Sequence, residues 1–180
     1  MVKIFFLITT FSLFSVAKIY FDFNDESVEV GQKKRIQILY SYNSAQLINS
    51  KELDSIFIEL SNFLKIHSNV KIEIGGHTDC RGSAFYNKKL SEHRARSAQE
   101  YIIKKYNIDS AQLTYIGYGE DAPTHIDAEL HSTLSVAKQK LFPIGTVLTE
   151  SFINGLDNSN FENAHHINRR TELKIVSVSN

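Results

Sequence analysis

The chain has 180 residues, enough for one domain of ordinary size with a real core. Hydrophobic residues make up 42% and charged residues 22%, the balance of a soluble globular chain. Twenty basic and twenty acidic residues cancel, which argues against a nucleic-acid binder that relies on phosphate neutralisation but leaves room for a local charged site.

In chain order, Lys3, the mostly apolar run Ile4 to Phe14 and the small-x-small exit Ser15-Val16-Ala17 form the succession of a secretory signal peptide, residues 1–17. The bland alternative is a buried N-terminal element. The run is too short for a membrane-spanning helix, which takes about 20 apolar residues. The sole cysteine, Cys80, lies far from that exit, so no lipid-attachment cysteine follows it and no internal disulfide can form. The mature chain is therefore expected to be exported, soluble and without a membrane-spanning segment or lipid anchor. Cys80 adjoins Asp79 but has no evident general base, so it reads as incidental rather than nucleophilic.

Ile19 to Phe23 reads as a short extra strand within an N-terminal extension, residues 18–35. Ile36, Ile38, Tyr40 and Tyr42 alternate with Gln37, Leu39 and Ser41, which predicts a strand. Asn49 with Glu52 resembles a capping box. Behind it, Leu53, Ile56, Phe57, Leu60, Phe63 and Leu64 repeat at helical spacing, predicting a helix of about four turns. Val70, Ile72 and Ile74 give the next strand, which Gly75-Gly76 should end. A helix is predicted from Tyr86 to Lys105, a strand from Leu113 to Tyr118 and a last strand from Arg170 to Val178. Between Gly119 and His166 no strand is predicted. Helical pieces are expected near Asp127–Leu141 and Thr149–Gly155, with Phe142-Pro143-Ile144-Gly145 as the turn between them.

On the helix from Tyr86 to Lys105, a step of about 100° per residue places Leu90, Arg94, Ser97, Ala98, Tyr101 and Lys105 within one arc. Arg94 lies near its middle, on the stripe expected to face the core. A guanidinium there needs an acceptor, because an unpaired charge taken out of water is very costly. The expected acceptor lies in Gly75-Gly76-His77-Thr78-Asp79, so Asp79 and Arg94 form the candidate functional pair. The plain reading of that pair is a structural ion pair fixing loop to helix.

Gly76-His77-Thr78-Asp79, then Gly82, then Asn87-x-x-Leu90-Ser91-x-x-Arg94-Ala95-x-Ser97 closely resemble the OmpA-like C-terminal peptidoglycan-binding domain family. Gly117-Tyr118-Gly119-Glu120 with Pro123, and Asn168-Arg169-Arg170-Thr171-Glu172, resemble its next and terminal blocks. The resemblance covers roughly Ile36 to Val176. It implies an α/β (α+β) two-layer sandwich of order β/α/β/α/β with a mixed sheet, here as a domain over residues 36–180 with a helical insert, residues 119–166, before the last strand. Tyr40-Ser41-Tyr42 stands where the family often has Phe-Asp-Phe, and the earlier Phe21-Asp22-Phe23 is taken as part of an added element.

The resemblance also implies a ligand, the diaminopimelate residue of the peptidoglycan stem peptide, with Asp79 accepting from its ammonium and Arg94 holding its carboxylate through two parallel bonds. The amino end of the Arg94 helix would favour an anion at the same place. Thr78, Asn87 and Leu90 would complete the pocket, while Asn168 and Arg169 divide evenly between pocket and scaffold. The expected setting is the periplasm, with outer-membrane proteins as further candidate partners. The seven histidines show no His-x-x-x-His spacing, so neither a metal nor any other cofactor is expected. Two other classes compete with a non-enzymatic binder. One is a cell-wall hydrolase, for which Gly-x-Ser-x-Gly is absent and no acid–base pair is visible. The other is a protein–protein module that docks a partner through Gly119–His166.

Overall fold

The computed structural model describes residues 18–41 and 43–179, so the expected signal peptide lies outside the described residues. Helix α1 (Lys51–Ile66) starts where Ser50 accepts a 3.1 Å bond from the Leu53 amide. The cap is therefore Ser50, one residue after the Asn49 expected from the capping-box spacing. Leu53, Phe57, Leu60, Phe63 and Leu64 form its buried stripe.

This stripe packs on a four-stranded mixed sheet of β1 (Lys33–Ile36), β2 (Val70–His77), β3 (Leu113–Gly119) and β4 (Thr171–Val178), in the order β1-β4-β2-β3. β4 is antiparallel to both neighbours, and β2 and β3 are parallel. Helix α2 (Ala84–Tyr106) lies beside α1 on the same face, capped by Ser83 at its start and by left-handed Asn107 at its end. The core joins Ile72, Ile74, Leu173 and Ile175 of the sheet to Phe57, Leu60 and Leu64 of α1 and to Ala95, Ala98 and Ile102 of α2. The two-layer α+β class expected from the sequence is the observed one.

Further local expectations differ from the structure. First, Gly75-Gly76 does not end β2, which continues to His77. A Cβ on Gly76 would fall well inside contact distance of the Ser91 carbonyl oxygen, and one on Gly117 inside that of the Glu92 amide. Gly76 and Gly117 are paired in register, so the two glycines together let α2 lie directly on the sheet. Second, the stripe of α2 that meets the sheet is Asn87, Ser91, Ala95, Ala98 and Ile102. That stripe is built of small residues because the glycine floor demands close approach, and so it escapes a search for large apolar side chains. The arc containing Arg94 is the flank of α2 that faces α1 and the segment before it. There Lys105 reaches Asp54 at 2.5 Å and Arg94 donates to the Ser44 carbonyl at 3.0 Å.

Third, the first strand occupies Lys33–Ile36 rather than Ile36–Tyr42. Past Ile36 the chain leaves the sheet, and Tyr40 bridges Leu47 across a turn in which Ser41 and Gln46 are bonded. The alternating apolar residues there serve a loop lying over α2 instead of a strand. The extra strand expected at Ile19–Phe23 reduces to a single parallel bridge, Tyr20 to Lys33, while Phe21 and Phe23 enter the core.

Between β3 and β4 the chain builds α3 (Ala128–Thr133), α4 (Val136–Leu141), α5 (Glu150–Asn154) and α6 (Asn158–Asn168). They enclose a separate small core of Ile126, Phe142, Leu148, Ile153, Ala164 and Ile167. The turn at Phe142–Gly145 is present, with the Thr146 amide bonded to the Pro143 carbonyl. Helix α6 was not foreseen, because its polar run Asn158–Asn163 masks the helical spacing of Phe161, Ala164, His165 and Asn168. Among the described residues no helix is long and apolar enough to cross a membrane.

Candidate functional site

At the C-terminal end of β2 the backbone turns at Thr78, whose amide bonds to the Gly119 carbonyl of β3 at 2.9 Å. This delivers Asp79 to a buried position, its side chain only 8% exposed. Asn87, buried one turn into α2, fixes the loop by donating to the carbonyls of Asp79 and Arg81 at 3.1 Å each and to the Glu120 carboxylate. Asn87 is thus a brace for the loop. Thr78 is buried and its hydroxyl has no protein partner. Leu90 is half-buried on α2, one turn before Arg94.

Asp79 does not pair directly with Arg94. Its carboxylate accepts from the Arg81 amide at 3.1 Å, from the Arg81 guanidinium at 2.7 Å and from Arg169 at 2.5 Å. Arg81 and Arg169 also bind Glu162 of α6, each at 3.0 Å. Two guanidiniums and two carboxylates therefore balance within one network that ties the β2 loop, α6 and the start of β4 together. Burial pushes the Asp79 carboxyl up, but the bonds from Arg81 and Arg169 outweigh it and hold it below the usual carboxylate value. His165 of α6 is buried beside this network, 3.8 Å from Asp79, and burial lowers its basicity.

Arg94 has a different environment. Its acceptor is the Ser44 carbonyl, its guanidinium lies 5.1 Å from the centre of the Tyr40 ring, and the Tyr40 hydroxyl returns a 3.0 Å bond to the Arg94 carbonyl. Burial is the main influence on its charge and lowers its basicity, while Tyr40, Tyr86 and, less strongly, Asp79 favour the charged form. Arg94 and Arg169 line one cavity of about 140 Å³, together with Tyr40, Gly76, His166 and Thr171. Arg169 is thus the link between the two predicted partners, with one end on the Arg94 cavity and the other on Asp79.

The terminal block separates by role. Asn168 is buried, accepting from the Thr124 amide and donating to the Leu148 carbonyl at 2.8 Å each, so it holds the insert to the sheet. Arg170 bonds Glu172 at 2.7 Å and the Ala122 carbonyl at 3.1 Å. Arg169 and Arg170 both line the cavity beside Arg94, and of the two Arg169 also binds Asp79. Sequence reasoning missed Arg81, Glu162 and Tyr40. Arg81 carried a local signal, since an aspartate commonly accepts from the amide two residues on. Glu162 carried none, being 83 positions from Asp79. Cys80 is half-buried and burial pushes its thiol up, away from nucleophilic thiolate.

The comparisons with known proteins agree with this architecture. Over 99 residues the chain is 39% identical to the peptidoglycan-associated lipoprotein of Buchnera aphidicola subsp. Baizongia pistaciae, a stretch covering 55% of each. It is 34% identical over 87 residues to the peptidoglycan-associated lipoprotein of Legionella pneumophila, covering 48% of each. The chain thus spans about half the length of these relatives. Among solved structures, the periplasmic domain of Helicobacter pylori MotB superposes with a TM-score of 0.52 at 17% identity, over 86% of this chain and 82% of that one. At these identities the superposition speaks for the fold. Residues 39–133, more than half of the chain, match the model of the OmpA family, and the chain belongs to that family.

Proposed function

We propose that the protein binds peptidoglycan non-covalently, gripping the diaminopimelate head group of the stem peptide between Arg94 and Asp79 in the periplasm. The observation that carries this reading is the imbalance at the 140 Å³ cavity. Of the three arginines that line it, Arg169 is held by Asp79 and Glu162 and Arg170 by Glu172, whereas Arg94 has a backbone carbonyl and a tyrosine ring but no carboxylate among the described residues. A ligand carboxylate at Arg94 supplies the missing charge, and a guanidinium suits it through two parallel bonds. The ligand ammonium then replaces Arg81 at Asp79. The Arg81 guanidinium is half-exposed and can turn into solvent, while Asp79, which is buried, exchanges one cation for another and keeps its bond to Arg169. Arg169 stays between the two ligand charges. In this reading Leu90, one turn before Arg94 on α2, and Thr78, next to Asp79, make further ligand contacts, while Asn87 keeps Asp79 in place. The names of the lipoprotein relatives support the wall as target and the cell envelope as setting. Nothing in this reading breaks a bond, and no cofactor enters it.

Co-sedimentation with purified sacculi tests it. Arg94→Ala, with unchanged circular dichroism and melting, is expected to lose at least 90% of pelleted protein, and free diaminopimelate is expected to compete with the unaltered chain. Full sedimentation of a folded Arg94→Ala chain would overturn the site. Release of soluble fragments from the sacculi would replace binding with hydrolysis.

A further inference from the structure

The face of the sheet turned away from α1 and α2 should be open to solvent in a two-layer sandwich. Here it is partly roofed. Tyr20, from the N-terminal segment, hydrogen-bonds Asp127, which caps α3 of the insert, and Ala122, Pro123 and His125 close a further side. The result is a cavity of about 250 Å³ standing on β1, β4 and β2. It contains neither Asp79 nor Arg94.

Its charges are unevenly matched. Four cationic side chains line it, Lys33, Arg35, Arg170 and Lys174, against the carboxylates of Glu73, Asp127 and Glu172. Each carboxylate is already engaged: Glu73 accepts from the Tyr118 hydroxyl at 2.7 Å, Asp127 from Tyr20, and Glu172 from Arg170 at 2.7 Å. Arg35 comes no closer to Glu172 than 3.6 Å and Lys33 no closer than 3.9 Å, beyond a good hydrogen bond, and Lys174 forms no ion pair among the described residues. Register places these groups in rows across the sheet, Arg35 opposite Glu172 and Lys33 opposite Lys174. Two cations directly opposite each other repel.

A second observation points to a ligand. His77 is only 5% exposed, its ring stacks on Tyr118 with centroids 4.8 Å apart, and it lines the cavity with neither ring nitrogen hydrogen-bonded, Nε2 standing 3.8 Å from the Glu172 carboxylate, beyond a good hydrogen bond. Leaving a buried polar group unpaired costs about 1–3 kcal/mol, so such a group in a native cavity calls for an explanation. A ligand oxygen is the partner that fits.

We propose that this cavity is a second ligand site, taking a small oxyanion whose phosphate or carboxylate oxygens are held by Arg35, Lys33 and Lys174 and meet a ring nitrogen of His77. Burial and the neighbouring Arg170 depress the basicity of Arg35, a cost that an anion between them relieves. The site takes its walls from the N-terminal segment and the insert, so it depends on both additions to the sheet, and it is independent of the wall-binding reading.

The test is a titration of the full chain followed by the His77 ring signals in NMR, at fixed ionic strength, with inorganic phosphate in one arm and succinate in the other. Saturable shifts are expected in at least one arm, and the arm that saturates identifies the oxyanion class. Affinity should fall at least fivefold in Arg35→Gln and in Lys174→Gln and stay unchanged in Arg94→Ala. Lys174 is half-exposed, so its variant keeps the test open if Arg35→Gln fails to fold. Shifts that grow linearly in both arms, as chloride would produce, overturn the proposal, and so does unchanged affinity in the folded variants.

Discussion

On the helix side of the sheet, Ile72, Ile74, Leu173 and Ile175 are sealed under α1 and α2, and Gly76 and Gly117 touch the α2 backbone. On the other side, alternate residues of the same strands, Arg35, Glu73, Glu172 and Lys174, stand half-buried around a cavity. The pleat separates these two environments by a single residue step. One face is governed by volume, since apolar side chains fill it and its two glycines meet the backbone of α2. The other is governed by charge, since its contacts are the ends of side chains. The two candidate sites follow this division. The Arg94 cavity lies at the end of the strands where α2 is pressed onto the glycines, and the His77 cavity lies on the charged face.

The largest expected effect tests the volume rule. Gly76→Ala or Gly117→Ala places a methyl group inside the backbone of Ser91 or Glu92. Neither atom belongs to a side chain that can turn away, so α2 must lift off the sheet. The loss should reach about 3 kcal/mol, the upper part of the range for overpacking. Chemical denaturation measures it. A loss below 1 kcal/mol would mean that α2 rides loosely and that the two faces do not differ as described. Because Arg94 and Asn87 ride on α2, the same variants should also weaken wall binding even where they remain folded.

The next effect tests the charge rule. Burial, with Arg170 nearby, pulls His77 down to about 3 from an ordinary value near 6.5. The unfolded chain therefore takes up a proton between those values while the folded chain stays neutral. Stability contributed by the neutral ring is complete above about 6.5 and falls as the pH drops toward 3, by up to about 1.4 kcal/mol per unit. Asp79 acts in a lower window. Its folded value lies below the usual carboxylate value, so its contribution is present above that value and is lost as the pH falls through the folded one. Denaturation at pH 6.5 and 5 isolates the histidine contribution, and His77→Phe, which keeps an aromatic ring beside Tyr118, should remove up to about 2 kcal/mol of the difference. His165, also lowered by burial, contributes in the same direction and remains in the variant. An identical pH slope in the unaltered chain and in His77→Phe would show that the ring takes up its proton alike in the folded and unfolded chains, so that the fold does not depress it.

The same division explains what the sequence disclosed. The apolar spacing of Leu53 to Leu64 and the alternation in Val70 to Ile74 mark helix and strand because large side chains fill the core there. The stripe Ser91, Ala95 and Ala98 is silent to that approach, since its fit to Gly76 and Gly117 depends on small size. The family motif located Asp79 and Arg94 correctly on loop and helix. It could not disclose that Asp79 is engaged by Arg169 within a network shared with Glu162, because Arg169 lies 90 positions away and Glu162 belongs to a helix with a weak pattern. The pairing of Tyr20 with Asp127 spans 107 positions and closes a cavity that no local spacing encodes.

The smallest expected effect sharpens the contrast most, because it uses the neighbouring residue. Gly75 precedes Gly76 and faces the opposite way. A Cβ on Gly75 meets the edge of the Tyr118 ring at 3.0 Å and the His77 ring at 3.5 Å. Both are side-chain atoms, and the Tyr118 ring is tethered at its far end by one bond to Glu73. A shift of a few tenths of an ångström relieves the contact. Replacing glycine with alanine also restricts the unfolded chain, which favours folding by about 0.4–1 kcal/mol at a compatible backbone position. The two effects oppose each other, so Gly75→Ala should change stability by less than about 1 kcal/mol in either direction. Its methyl group projects toward the His77 cavity, so phosphate or succinate titration should weaken while sedimentation with sacculi is unaffected. A loss as large as that of Gly76→Ala would show that the charged face is as tightly packed as the helix-covered one, and would remove the room that the oxyanion site requires.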